Sequence, residues 1–233
     1  AIERGGMKPE EVFVLRSGPK LERLKIQEPK NEIKRGKKFM VGYLGVIGQQ
    51  EGIEYLLKAA KYIKELPGRN DVFWGIVGGG PDVEHMKKLS HDMGLDDIVE
   101  FTGRVPDQTL LDYLNTADVC VNSDEYNAMN DKSTMNKVLE YMALGKPLVQ
   151  FDLTEGRYSA QEASLYAKRN DAEDMAKKIL ELLDNPEKRK QMGEYGRNRV
   201  IYRIRGTGRG ARAESPGWGK SLPSWNGRFA FQD

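Results

Sequence analysis

The chain has 233 residues, 39% of them apolar and 31% charged, enough for one sizeable domain with additional segments. Its 37 basic and 35 acidic side chains leave a net charge of +2, which offers no bulk attraction to nucleic acid or to an anionic membrane. The single cysteine, Cys120, excludes a disulfide framework and fits a reducing, cytoplasmic setting, possible also at the inner face of a membrane. No apolar run approaches the roughly 20 residues of a membrane span, and the N-terminus is not a signal peptide.

The first 38 residues read as a strand at Val12 to Leu15, a turn at Arg16 to Pro19, and a Lys/Glu-rich connector from Lys20 to Lys38. From Phe39 the pattern alternates apolar strands with amphipathic helices, the signature of an α/β fold with a parallel, Rossmann-like sheet flanked by helices. Phe39 to Leu44 is a buried strand, Gly42 to Gly52 a glycine-rich turn, and Gly52 to Leu66 a helix with Ile53, Leu56, Leu57 and Ala60 at helical spacing. Val72 to Val77 is the next strand, closed by Gly78, Gly79, Gly80 and Pro81. A helix over Val83 to Met93 ends at Gly94, a residue suited to the left-handed helix end. Ile98 to Phe101 and Asp118 to Asn122 are strands around a helix from Asp107 to Leu114, with Asp107 as its expected N-cap. Asn130 to Gln150 reads as a buried-faced helix ended by Gly145, then a strand from Leu148 to Phe151. A strand near Leu165 to Ala167 and helices over Ala172 to Leu183 and Pro186 to Val200 complete the domain, 39–200.

The last 33 residues, Ile201 to Asp233, lose this rhythm. Gly206, Gly208 and Gly210 each cost about 1 kcal/mol in a helix interior, so no closing helix is expected there. Three origins compete for this Arg/Gly-rich tail: a shifted or spliced reading frame, an artefact, or a real RNA-binding segment. The first two are favoured, and the tail is expected to be non-native or disordered.

Ligands of an open parallel sheet bind beyond the carboxyl ends of its strands, where four turns stand. The first holds Gly45 and Gly48, which let a backbone approach a diphosphate or simply make a tight turn at positive φ, before a helix whose first N–H groups favour an anion. The second holds Gly79 and Gly80, which serve close approach of a ligand or plain strand-to-helix closure. The third carries Arg104, a cation for a base or phosphate, or simply a solvated arginine. The fourth, Asn122 to Thr134, brings Asp124, Asn127, Asn130 and Asp131 towards a helix whose first-turn N–H groups are expected to be those of Ser133, Thr134 and Met135. The Ser133 and Thr134 hydroxyls fit an anion cradle or ordinary N-capping, Lys137 a point charge on that anion or a solvated helix face, and Glu140 an acceptor for sugar hydroxyls.

The strings STMNKVLEYMALGKP and YLGVIGQQEG closely resemble the C-terminal, donor-binding half of family-4 (group 1) retaining glycosyltransferases of GT-B fold. The resemblance covers roughly Val12 to Val200. It implies a nucleoside-diphosphate sugar, expected to be UDP-linked, as donor substrate, with no cofactor and no metal, in polysaccharide or glycoconjugate synthesis. It implies that the chain begins at the hinge, lacks an N-terminal acceptor domain, and transfers little alone. The family usually carries two glutamates eight positions apart. Glu140 matches the second, on ribose, while Lys132 stands at the first, and neighbouring Asp131 is the substitute. Typical members also hold the diphosphate with an Arg and a Lys in the first glycine loop; Tyr43 and Glu51 stand at those places here, in a loop two residues longer. Lys137, Ser133 and backbone amides are therefore expected to take over, with Asp131 and Lys137 as the catalytic candidates. His85 and His91 on one helix make a poor metal site. Two alternatives are kept: a GT-B-fold sugar-nucleotide epimerase, whose acid/base groups are not found in these turns, and a non-enzymatic interaction module using the basic tail.

Overall fold

The computed structural model describes residues 2–12 and 18–207; all but Val12 of the expected strand at Val12 to Leu15, and the Arg/Gly-rich tail beyond Thr207, fall outside them. After a single turn, α1 (Ile2–Gly5), the domain follows the order β1 (Phe39–Leu44), α2 (Ile53–Glu65), β2 (Val72–Val77), α3 (Val83–Asp92), β3 (Val99–Gly103), α4 (Asp107–Thr116) and β4 (Val119–Asn122). It continues with α5 (Asn136–Ala143), β5 (Leu148–Phe151), α6 (Thr154–Ala160), β6 (Ser164–Ala167), α7 (Ala172–Leu183) and α8 (Pro186–Thr207). The six strands form one sheet in the order β3-β2-β1-β4-β5-β6, with every strand pair parallel. The order reverses between β1 and β4, so a crevice opens beyond the carboxyl ends of those two strands.

Alternation along the strands builds two cores. Val41, Tyr43, Val119 and Val121 face α2, α3 and α7, while Met40 and Cys120 face α4, α5 and α8. Burial pushes the Cys120 thiol up to about 12, so it serves as an inert core side chain. Between β1 and the end of α4 there is no room for a side chain at position 42: a Cβ on Gly42 would lie 2.9 Å from that of Ala117. Gly94 and Gly145 adopt the left-handed conformation past α3 and α5, as expected of C-terminal glycines.

The segment 18–38 is more than a connector. Leu24 is buried with α4 and α5, Gln27 N donates to Asn115 Oδ1 (3.1 Å), and Lys30 N donates to Thr116 Oγ1 (2.9 Å). Lys146 is half-buried beside them and donates to the carbonyls of Asn115 (2.6 Å) and Ala117 (2.9 Å), closing the C-terminus of α4. Asp107 is the first residue of α4 rather than its cap, and its carboxylate pairs with Arg23 Nε at 2.8 Å. The helix α6 was hidden in sequence by its seven residues of mixed polarity. The last helix runs to Thr207, past the Val200 end that the glycines and the loss of apolar rhythm indicate.

Candidate functional site

The two glycine loops lie against each other across the crevice. Ile47 N donates to Gly79 O (3.2 Å), Asp82 N to Ile47 O (3.1 Å), and Gly45 N to Val77 O (3.1 Å). A Cβ on Gly78, whose φ is +141°, would stand 1.8 Å from Gly45 O, and one on Gly80 would stand 2.2 Å from Ile47 O. Backbone packing between loops therefore demands these glycines. Gly79 plays another part: the Arg104 side chain lies against it, with Cγ 3.0 Å from where a Cβ would be. Gly48 faces the Glu51 carboxylate, whose Oε2 would be 2.9 Å from a Cβ there. That places an anion at the loop position where the resemblance implies a cation.

The helix α5 begins at Asn136, three residues beyond the expected Ser133, because Asn130–Lys132 first make a separate 3-10 turn. The first-turn N–H groups are thus those of Asn136 and Lys137, not those of Ser133, Thr134 and Met135. The expected hydroxyl cradle is also engaged elsewhere: Ser133 Oγ donates to Met129 O (2.7 Å) and Thr134 Oγ1 to Glu155 Oε1 (2.8 Å). Met135 takes the N-cap position and packs on the core. Asn130 is a brace: its buried amide donates to Gln50 O (3.0 Å) and Glu125 O (2.9 Å), tying the first and fourth turns together. Asp131 turns away to α6, accepting from Thr154 N (2.9 Å) and Thr154 Oγ1 (3.0 Å), with Arg169 Nη2 at 3.6 Å. Those bonds, together with the nearby cations, hold its carboxyl below the usual range. An anion that anchors a neighbouring helix is poorly placed to act on a sugar.

Lys137 reaches the centre of the crevice. Its Nζ donates to Asp124 Oδ1 at 2.7 Å and to the Tyr43 hydroxyl at 3.3 Å, and lies 4.9 Å from the Tyr43 ring centroid. Only 11% of the Lys137 side chain and 3% of Asp124 remain exposed. Tyr43 in turn donates to Val46 O (2.9 Å), and Lys137 Cε stands 3.4 Å from a Cβ position on Gly45, so α5 and the first glycine loop meet through this lysine. Asp124, two residues past the end of β4, was named in sequence only as a loop carboxylate. Its place just beyond a buried strand was the one available signal.

Glu140 sits one turn along α5 from Lys137, a spacing that puts both on one face of the helix. It is half-buried, and among the described residues its carboxylate makes no hydrogen bond or ion pair. Burial raises its pKa, against the pull of nearby Arg23 and with a smaller push from Asp107. Arg23 comes from the N-terminal segment, and nothing in its local sequence marks it as a neighbour of Glu140.

A cavity of about 760 Å³ lies elsewhere, against β6 and lined by Asp152, Arg157, Tyr158, Tyr166 and Arg169 among others. Size favours it, yet its charged walls are solvated and already paired. The crevice between β1 and β4 has dry charge, apposed glycine loops and a helix N-terminus, so we take it as the site. The described residues contain no group of three or more His, Cys, Asp or Glu able to hold a metal. His91 pairs with Asp96 on an exposed face (2.7 Å), and no described helix is long and apolar enough to cross a membrane.

A parallel sheet with this strand order and crevice defines a Rossmann-like α/β domain. Comparison makes the class specific. The family model described as "Glycosyl transferases group 1" matches residues 25–199, and the chain belongs to that family. It is 28% identical over 173 residues to an uncharacterised glycosyltransferase of Haemophilus influenzae, covering 72% of this chain and 46% of that protein. The C-terminal domain of a group 1 glycosyl transferase from Francisella tularensis superposes with a TM-score of 0.66 at 15% identity, over 79% of this chain and 97% of that one. An Anabaena protein solved with UDP gives a TM-score of 0.71 at 16% identity, over 85% of this chain and 55% of that one. The chain spans under half the length of the curated relatives it matches. The fold is that of the C-terminal half of a GT-B glycosyltransferase.

Proposed function

We propose that this domain binds a nucleoside-diphosphate sugar, UDP-linked as in the Anabaena protein's complex, as the donor for retaining glycosyl transfer. The product would be a polysaccharide or glycoconjugate made on the cytoplasmic side of a membrane. One observation carries the reading: Lys137, buried at the switch point beneath Gly45, with Glu140 one turn further along the same helix face. The diphosphate lies over the first glycine loop, where the third Nζ proton of Lys137 and the N–H groups of Asn136 and Lys137 can reach it. Charge on the departing nucleotide is then met by fixed donors in a poorly hydrated crevice, where electrostatic stabilisation is strongest. Glu140 accepts from the ribose hydroxyls, and Arg104 and the triple glycine form the wall towards the base. Thr134, Ser133, Asn130 and Asp131 shape the loop without touching the donor. Glycosyl transfer needs an acceptor wall opposite this crevice.

Calorimetric titration with UDP, GDP and their sugar conjugates tests the proposal. Saturable binding of a uridine nucleotide, weakened by Glu140→Ala and Lys137→Met, is expected. Absence of binding to all of them would overturn it.

A further inference from the structure

Asp124 has a feature that its pairing with Lys137 does not explain. Its Oδ1 accepts from Lys137, while its Oδ2 is buried and has no hydrogen-bond partner. A buried acceptor without a partner carries a desolvation cost. Asp71 Oδ1, Trp74 Nε1, Asn122 Oδ1 and Gln150 Oε1 are also buried without partners; the last three are uncharged, and Asp71 precedes β2, at the amino ends of the strands and away from the crevice. Of the two carboxylates, Asp124 is the one that stands beside the ammonium facing the glycine loop.

The pair is close to neutral as seen from the crevice. Lys137 has three N–H donors; Asp124 and Tyr43 take two, and the third remains for a ligand. The site therefore holds a phosphate by directed hydrogen bonds with little net attraction. Two ligands of the proposed reaction differ in charge. In a sugar-linked nucleoside diphosphate the second phosphate is a diester with one charge. The free nucleoside diphosphate ends in a phosphomonoester, which gains another charge above its second pKa of about 6. Water screens charges little in such a crevice, so the fixed carboxylate beside the phosphates discriminates against that additional charge.

We propose, resting on the donor-domain reading above, that Asp124 is a specificity-determining residue. It tempers Lys137 and repels the free nucleoside diphosphate, so that the crevice prefers the sugar-linked donor and releases the spent nucleotide.

The test titrates the full chain with UDP, UDP-glucose and UDP-N-acetylglucosamine at pH 8. Asp124→Asn is expected to tighten UDP binding and to lower the ratio of the UDP Kd to the sugar-conjugate Kd about tenfold. Asp124→Glu keeps the wild-type ratio, and Lys137→Met weakens all three ligands together. A purely structural aspartate would weaken all ligands without changing the ratio, and that result overturns the proposal. Should Asp124→Asn fail to fold by circular dichroism, the wild-type chain answers through pH. Its ratio is expected to fall between pH 8 and pH 5.5 as the terminal phosphate takes up a proton, and an unchanged ratio overturns the proposal. Failure of the wild-type chain to bind any uridine nucleotide would instead overturn the donor-domain reading itself, a separate and recognisable outcome.

Discussion

Two clusters in this domain have the same ingredients and opposite physics. At the switch point Lys137, Asp124 and Tyr43 form a cation, carboxylate and aromatic group; at the β5–β6 edge Arg157, Asp152 and Tyr166 do the same. Arg157 makes two 2.8 Å bonds to Asp152 and lies 4.1 Å from the Tyr166 ring centroid, a geometry at least as good as that of the lysine pair. Yet the Arg157 and Asp152 side chains are 55% and 44% exposed, against 11% and 3% for Lys137 and Asp124. Water screens the Arg157 cluster and leaves the Lys137 cluster unscreened. The kind of side chain present does not distinguish a working charge from a decorative one; desolvation does.

The sharpest way to break this comparison is Lys137→Met. It strands a buried carboxylate, and about 3–5 kcal/mol of stability should be lost in chemical denaturation, as is typical when one partner of a buried pair is removed. Most of that should return in the Lys137→Met/Asp124→Asn double variant. If the single variant cost no more than a surface change, the crevice would be wet and the contrast false. Next in size is Gly78→Ala, which tests the backbone side of the same crevice. Its Cβ meets a carbonyl that belongs to the packed first loop, at a φ of +141°. About 1–3 kcal/mol of destabilisation is expected, read as a lowered melting temperature. Arg157→Ala should cost at most about 1 kcal/mol, a difference that shrinks in high salt, and should leave UDP affinity as in the wild type.

The smallest effect has the opposite sign. The pKa of Glu140 is raised above its ordinary 4.5, so between that value and the raised one the folded protein binds more protons than the unfolded chain. Stability linked to the neutral carboxyl is complete below about pH 4.5 and is lost as pH rises through the folded-state value. Glu140→Gln should therefore melt slightly higher than the wild type at neutral pH, with the gap closing towards pH 4, while binding uridine nucleotides less well. A variant that melts lower at every pH would show that Glu140 stabilises the fold.

Much of the site's neighbourhood was legible from local pattern. Glycines after buried strands, Gly145 ending α5, and Glu140 among Leu139, Tyr141 and Met142 all express short-range rules: positive φ, the strand and helix periods, and an unusual charge on an apolar helix. The errors share one cause. Ser133 and Thr134 look like the start of a helix, but Asn130–Lys132 form a separate 3-10 turn before α5, and their hydroxyls donate to Met129 and Glu155. Asp131 looks like a stand-in for a missing glutamate, but the N-terminus of α6 lies beside it and takes its carboxylate.

The sequence by itself determined the alternating α/β order, the glycine turns at the strand ends and the helix carrying Lys137 and Glu140, because periodicity and backbone sterics act over a few residues. Only the tertiary structure decided that Asp124 and Tyr43 hold Lys137, that Arg23 stands near Glu140, and that two glycine loops close on each other. These are matters of which strands become neighbours and which charges lose their water, and both depend on contacts between residues far apart in the chain.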